Sequence, residues 1–151
     1  MPVRLYDLLT PVRELPEVVE APLGVTEYWF ETFRRVLVIR MGDGCTLLEA
    51  DLYRRGWSWE ADRVLELDGV TLLYHRIDAG RFGARWGELV GLRVGGREAL
   101  IGCRLLFCGE EVDREKAWRV YRLVVKAFEG RDPGAEPLRA PPPEALIGAE
   151  D

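Results

Sequence analysis

The sequence predicts an α+β domain: a six- or seven-stranded antiparallel meander, forming an open barrel or a strongly curved sheet, packed by a C-terminal amphipathic helix and preceded by a short N-terminal helical segment. Three observations predict it. Apolar residues recur at a period of two along most of residues 34–108. Short glycine-containing segments punctuate those runs at Gly42-Asp43-Gly44, Asp68-Gly69 and Gly95-Gly96, as tight hairpin turns require, because glycine takes a positive φ without steric cost. The period then changes to that of a helix over Val112–Glu129.

In chain order, Leu5, Leu8 and Leu9 suggest a short helix ended by Pro11, with a further turn over Glu14–Glu20. Glu27–Phe33 is rich in aromatic and β-favouring residues and reads as extended. The period-two runs are Arg34–Met41, Cys45–Tyr53, Arg63–Leu67, Val70–Ile77, Glu88–Val94 and Glu98–Cys108. In the last, Ala99, Ile101, Cys103, Leu105 and Phe107 share one face, with Arg104 on the other. Connections this short force antiparallel neighbours, since parallel pairing needs a crossover of about a dozen residues or more. In the helix, Ala117, Trp118, Tyr121, Val124, Val125 and Phe128 form the apolar stripe. Asp113 is the expected N-cap and Gly130 the C-terminal stop. Residues 1–130 make one domain, and residues 131–151, with five prolines and no periodicity, an extended tail.

Composition narrows the function classes. At 151 residues the chain suits a single domain on a prior of ~100–200 residues. No apolar run approaches the roughly 20 residues of a membrane span, and Arg4 and Asp7 stand where a signal peptide would be apolar, so the cytoplasm is the expected location. A net charge of −5 disfavours bulk nucleic-acid binding. There is no Asn or Gln and only one Ser, an amide-poor, charge-rich composition that suggests a thermophilic source.

The residue types that carry chemistry are sparse. His75 is the only histidine, and neither it nor Cys45, Cys103 and Cys108 lies in a metal-ligand spacing; no cofactor or metal is expected. The cysteines read as buried small residues, although Cys45 is able to pair with Cys103 or Cys108. Glu49 and Asp51 alternate with Leu48, Ala50 and Leu52 and read as a solvated strand face, while Arg76 and Arg104 read as outward residues whose stems cover apolar surface. Ser58 lacks a nucleophile-elbow setting, and neither phosphate-binding glycine motif occurs. The chain therefore reads as a binding domain more readily than as an enzyme, with no catalytic residue assigned.

One lead remains. In an uninterrupted up-and-down meander the three glycine turns fall on one rim and the connections 54–61 and 78–87 on the other. That rim would gather Arg54, Arg55, Trp57, Trp59, Arg81, Phe82, Arg85 and Trp86. Arginines beside aromatic rings suit a protein partner or a second copy of the chain; alternatives are an apolar small-molecule carrier, or a binder of single-stranded nucleic acid or a phosphorylated ligand. The competing reading makes Trp57, Trp59 and Trp86 a cap on the open end of the core, with Arg54, Arg55, Arg81 and Arg85 paired to Glu110, Glu111, Asp113 and Glu115. The order of elements, with Trp118 in the closing helix, resembles pleckstrin-homology-like barrels. Leu5-Tyr6-Asp7-Leu8-Leu9 through Arg13-Glu14-Leu15-Pro16-Glu17 resembles the short helices that lead into helix-grip (START-like) domains. These resemblances define no family, and a shared fold would not assign a function.

Overall fold

The computed structural model describes residues 22–31 and 34–134, so the expected N-terminal helical segment and the tail beyond residue 134 lie outside the described residues. Each expected run is a strand: β1 (Pro22–Glu31), β2 (Arg34–Met41), β3 (Cys45–Arg55), β4 (Arg63–Leu67), β5 (Val70–Arg76), β6 (Trp86–Val94) and β7 (Arg97–Cys108). A one-turn 3-10 helix (Ala79–Phe82) lies between β5 and β6, and α1 (Arg114–Phe128) follows β7. The turns work as their glycines dictate: Gly44, Gly69, Gly95 and Gly96 all take positive φ. Asp113 caps α1 by accepting from Lys116 N–H at 2.9 Å, and Gly130, at φ 74°, closes its other end with an N–H to Val125 O.

The seven strands form one open antiparallel sheet in the order β1-β2-β3-β7-β6-β5-β4. The fold is thus α+β with a curved antiparallel sheet, built from two meanders, β1-β2-β3 and β4-β5-β6-β7, joined where β7 pairs with β3. That join overturns the shared-rim expectation. Four antiparallel steps separate β3 from β4, so the two run in the same direction and the chain between them must travel the length of the sheet. It leaves one rim at Gly56, whose N–H bonds Glu98 O, and arrives near the other at Asp62, whose N–H bonds Tyr74 O. The 42–44 turn lies on the same rim as the β5–β6 connection, opposite the 68–69 and 95–96 turns.

Both sheet faces are buried, which explains why β3 and β7 are buried along most of their length rather than alternately exposed. α1 covers one face. There Ala117, Val120, Tyr121, Val124, Val125 and Phe128 pack on Val36, Val38, Leu48, Ala50, Cys103 and Leu105. The opposite face carries Leu37, Ile39, Leu47, Leu106 and Trp86 and, beyond them, Leu72, Tyr74, Val90 and Ile101. Hydrogen bonds anchor the last turn of α1: Glu129 accepts from Arg34 Nη1 at 2.6 Å and from Tyr53 N–H at 2.9 Å, while Arg131 bridges Glu129 and Glu31. Tyr121 also donates its hydroxyl to Glu31.

The cysteine expectation is corrected as well. Cys45 and Cys108, directly opposite on β3 and β7, form a disulfide spanning 63 residues of sequence, and Cys103 alone stays a buried thiol. A loop of that length restricts the unfolded chain by roughly 4 kcal/mol.

The crossing connection needs a residue without a side chain beneath it. Trp59 lies on Gly91 of β6, where an added Cβ would stand 2.2 Å from the indole and 3.1 Å from Ala99 O. Gly91→Ala is expected to displace Trp59 and cost about 1–3 kcal/mol in urea unfolding, and in a Trp59→Ala background the cost should be clearly smaller, only the approach to Ala99 O remaining. Equal costs in both backgrounds would remove Trp59 from that position.

Candidate functional site

The anticipated arginine and aromatic residues separate into three groups. The first gathers on the α1 side of the sheet around Phe128. Trp57 meets Phe128 and Trp59 edge to face, with centroids 6.5 and 5.9 Å apart, and Phe82 meets Phe128 from the other flank at 5.8 Å. The Arg54 guanidinium lies 4.7 Å from the Trp57 ring and donates to Phe128 O at 2.9 Å, which suits a cation at a helix C-terminus. Arg81 lies 5.1 Å from the Phe82 ring and 5.8 Å from Phe128. The two connections thus meet over the sheet, beside the end of the helix, rather than on a rim.

Trp86 does not join them. Two residues before Glu88 on β6, it faces the other side of the sheet, is 1% exposed, and lies 5.3 Å from the Arg76 guanidinium. Arg55 and Arg85 form the third group, exposed but apart: Arg55 lines an open groove with Leu92, Val94 and Arg97, and Arg85 is held through its backbone N–H to Leu106 O. The expected pairing with acidic residues at the helix start does not form. Glu110 pairs with Lys116 and Glu115 with Arg119, whereas Arg54, Arg55, Arg81 and Arg85 pair with no carboxylate among the described residues. Of the residues expected to form a lid, Trp57 and Trp59 do pack on the α1-side core, whereas Trp86 belongs to the opposite face.

A second constellation was misread from the sequence. Glu49, Arg104 and Glu88 stand side by side on β3, β7 and β6, and all three are buried on the face opposite α1. Arg104 Nε donates to Glu49 Oε2 at 2.6 Å, and its Nη1 lies 3.6 Å from Glu88 Oε2. Arg63 reaches both Glu88 oxygens at 3.1 and 3.3 Å across the Tyr74 ring. Asp51, also buried, accepts from Arg35 N–H. Alternation was the wrong signal here, because both faces of β3 are covered. Burial pushes the Glu49 and Glu88 carboxyls above the usual carboxylate range, more than the neighbouring guanidiniums pull them down. Among the described residues no group donates a hydrogen bond to Glu49 Oε1.

His75 sits at the margin, its ring 6.4 Å from Trp59 and its Nδ1 3.2 Å from Glu60 O and 3.6 Å from Asp62 Oδ2. Among the described residues no group of three His, Cys, Asp or Glu is placed to hold a metal, and no helix is long and apolar enough to cross a membrane. Comparison with protein-family models, with curated proteins and with solved structures returns no match.

The buried row has a pH signature. A carboxyl with a raised folded-state pKa binds its proton more tightly in the folded chain, so its contribution to stability falls as pH rises above about 4.5 towards the folded value. Arg104→Met removes the cation that offsets two buried carboxylates and is expected to cost about 3–5 kcal/mol at pH 7.5. The cost should be clearly smaller at pH 4.5, where protonation relieves them. Urea unfolding of both proteins at the two pH values checks this, and a cost independent of pH would contradict the buried row.

Proposed function

We propose that this domain is a non-catalytic protein-binding module. It engages its partner, another protein or a second copy of itself, through the surface that Arg54, Trp57 and Arg81 form around the last turn of α1, with Phe82 buried beneath Arg81. The observation that carries the reading is that the Arg54 and Arg81 guanidiniums are exposed, held against aromatic rings, and unmatched by any carboxylate among the described residues. Stacking limits the freedom those side chains lose on binding, and arginine beside an aromatic ring is a recurrent hot-spot composition.

The other readings fit less well. A carrier of an apolar molecule needs space between sheet and helix, but Phe30, Leu48, Ala50, Leu105, Tyr121 and Val124 fill that layer at 0–2% exposure. Single-stranded nucleic acid needs free ring faces for stacking, whereas Trp57 is engaged by Trp59, Phe128 and Arg54. Acid–base chemistry at Glu49 or Glu88 needs access to a substrate, and both carboxylates are buried in ion pairs. A cytoplasmic location alongside a disulfide fits the thermophilic source suggested by the composition, since intracellular disulfides persist in hyperthermophiles.

A photo-crosslinking amino acid at position 81, compared with one at position 25 on the outer edge strand β1, where Val25 is exposed and well removed from Arg54 and Phe128, tests the assignment. A discrete protein adduct should form from position 81 only, and a neighbouring Arg54→Glu change should reduce it at least tenfold. Unfolding of Arg81→Glu should stay within about 0.5 kcal/mol of the parent. Equal crosslinking from both positions, or none from either, would overturn the proposal.

A further inference from the structure

The disulfide occupies a distinctive place at the end of the ladder that joins the two meanders. Gly109 N–H bonds Gly44 O at 3.2 Å, so Gly44 and Gly109 make a hydrogen-bonded pair. The next pair inward, Cys45 opposite Cys108, is therefore of the non-hydrogen-bonded kind, in which side chains approach most closely. Both flanking glycines have positive φ, 83° and 79°, and a Cβ on either would meet nothing within 4 Å. Bare backbone and open space thus flank the disulfide. Cys108 is only partly buried, and an open cleft bordered by Arg40, Met41, Glu111 and Val112 reaches Cys45 from the other side. Cys103 is the contrast. It lies wholly buried under α1, where burial pushes its thiol far up, and a protonated buried thiol takes no part in exchange.

We propose that Cys45 and Cys108 form a redox-active pair that exchanges with dithiols in the folded protein and acts as a releasable clasp on the β3–β7 join. One thiolate of the dithiol attacks Cys108 Sγ; the new S–S bond forms as the Cys45–Cys108 bond breaks, and Cys45 leaves as a thiolate. The second thiol of the reagent then attacks its own sulfur in the mixed disulfide and releases Cys108. The reagent is oxidised to its cyclic disulfide, and the two protons it loses go to Cys45 and Cys108. The join outlasts the bond, because the Gly109–Gly44 hydrogen bond, the Thr46–Phe107 pairing and the Glu49–Arg104 ion pair all remain. The two thiols therefore stay opposite each other, poised to re-form the disulfide.

The inference is independent of the protein-binding surface and is tested on the whole chain. The protein is first equilibrated with oxidised dithiothreitol, then treated under native conditions with a graded excess of reduced dithiothreitol and alkylated with iodoacetamide. Peptide masses should show Cys45 and Cys108 labelled at least tenfold faster than Cys103, with the circular dichroism spectrum unchanged. The reduced protein should bind one equivalent of phenylarsine oxide, which requires two adjacent thiols, and Cys108→Ser should lose that binding. Its urea midpoint should fall and return on reoxidation. Failure to form the bond with the oxidised reagent, labelling only in denaturant, or labelling of Cys103 at the same rate would each overturn the proposal.

Discussion

β7 pairs with β3 rather than lying at the edge of its own meander, and the sheet, the crossing connection and the helix contacts are all set by that choice. Inserting the last strand between β3 and β6 turns two separate meanders into one seven-stranded sheet. It also makes β3 and β4 run the same way, and this drives the connection after Arg55 across the sheet instead of around a hairpin. Trp57 and Trp59 lie on that path, so the aromatic packing against Phe128 and the bare backbone at Gly91 follow from strand order. The last turn of α1, bound to β2 and β3 through Glu129, completes the arrangement.

The join is specified as well as stabilised. On the α1 side it is mostly apolar, with Leu48 beside Leu105 and Ala50 beside Cys103; on the other side Arg104 lies between Glu49 and Glu88. A slip of one residue would turn Arg104 into the apolar layer under the helix and separate it from both carboxylates. Burying those ions costs more than burying hydrocarbon of similar size. Their contribution is to make the wrong registers far worse than the right one, and the disulfide fixes the same register covalently at the end of the ladder.

The elements of this fold were legible in the sequence, but their neighbours were not. Period-two runs and glycine turns locate the strands to within a few residues, and the stripe from Ala117 to Phe128 with its Asp113 cap locates the helix, because these are local properties of the chain. Strand order is not local. A seven-residue link such as 56–62 is short enough to pass for a long hairpin loop, yet in extended form it can cross a sheet, and nothing in its composition separates the two. The same gap hid the buried charges. Glu49, Asp51 and Arg104 sit at alternating positions that suit a solvated face, and only the cover on both faces of β3 makes them interior. At the candidate surface, the residue types were readable and the grouping was partly so: Arg54, Trp57, Trp59, Arg81 and Phe82 meet, although by crossing the sheet, while Trp86 lies behind it and Arg55 and Arg85 stand apart.

The proposed recognition of another protein rests on two arginines that lie against aromatic rings at a helix end and pair with no carboxylate among the described residues. All of this follows from which strand lies beside β3. Nuclear Overhauser contacts between α-protons of opposed strands give that directly, because non-hydrogen-bonded antiparallel pairs bring those protons closest together. Strong contacts between Leu47 and Leu106 and between Glu49 and Arg104 are expected. Contacts from β3 to β4 in their place would contradict the join and the crossing connection that depends on it.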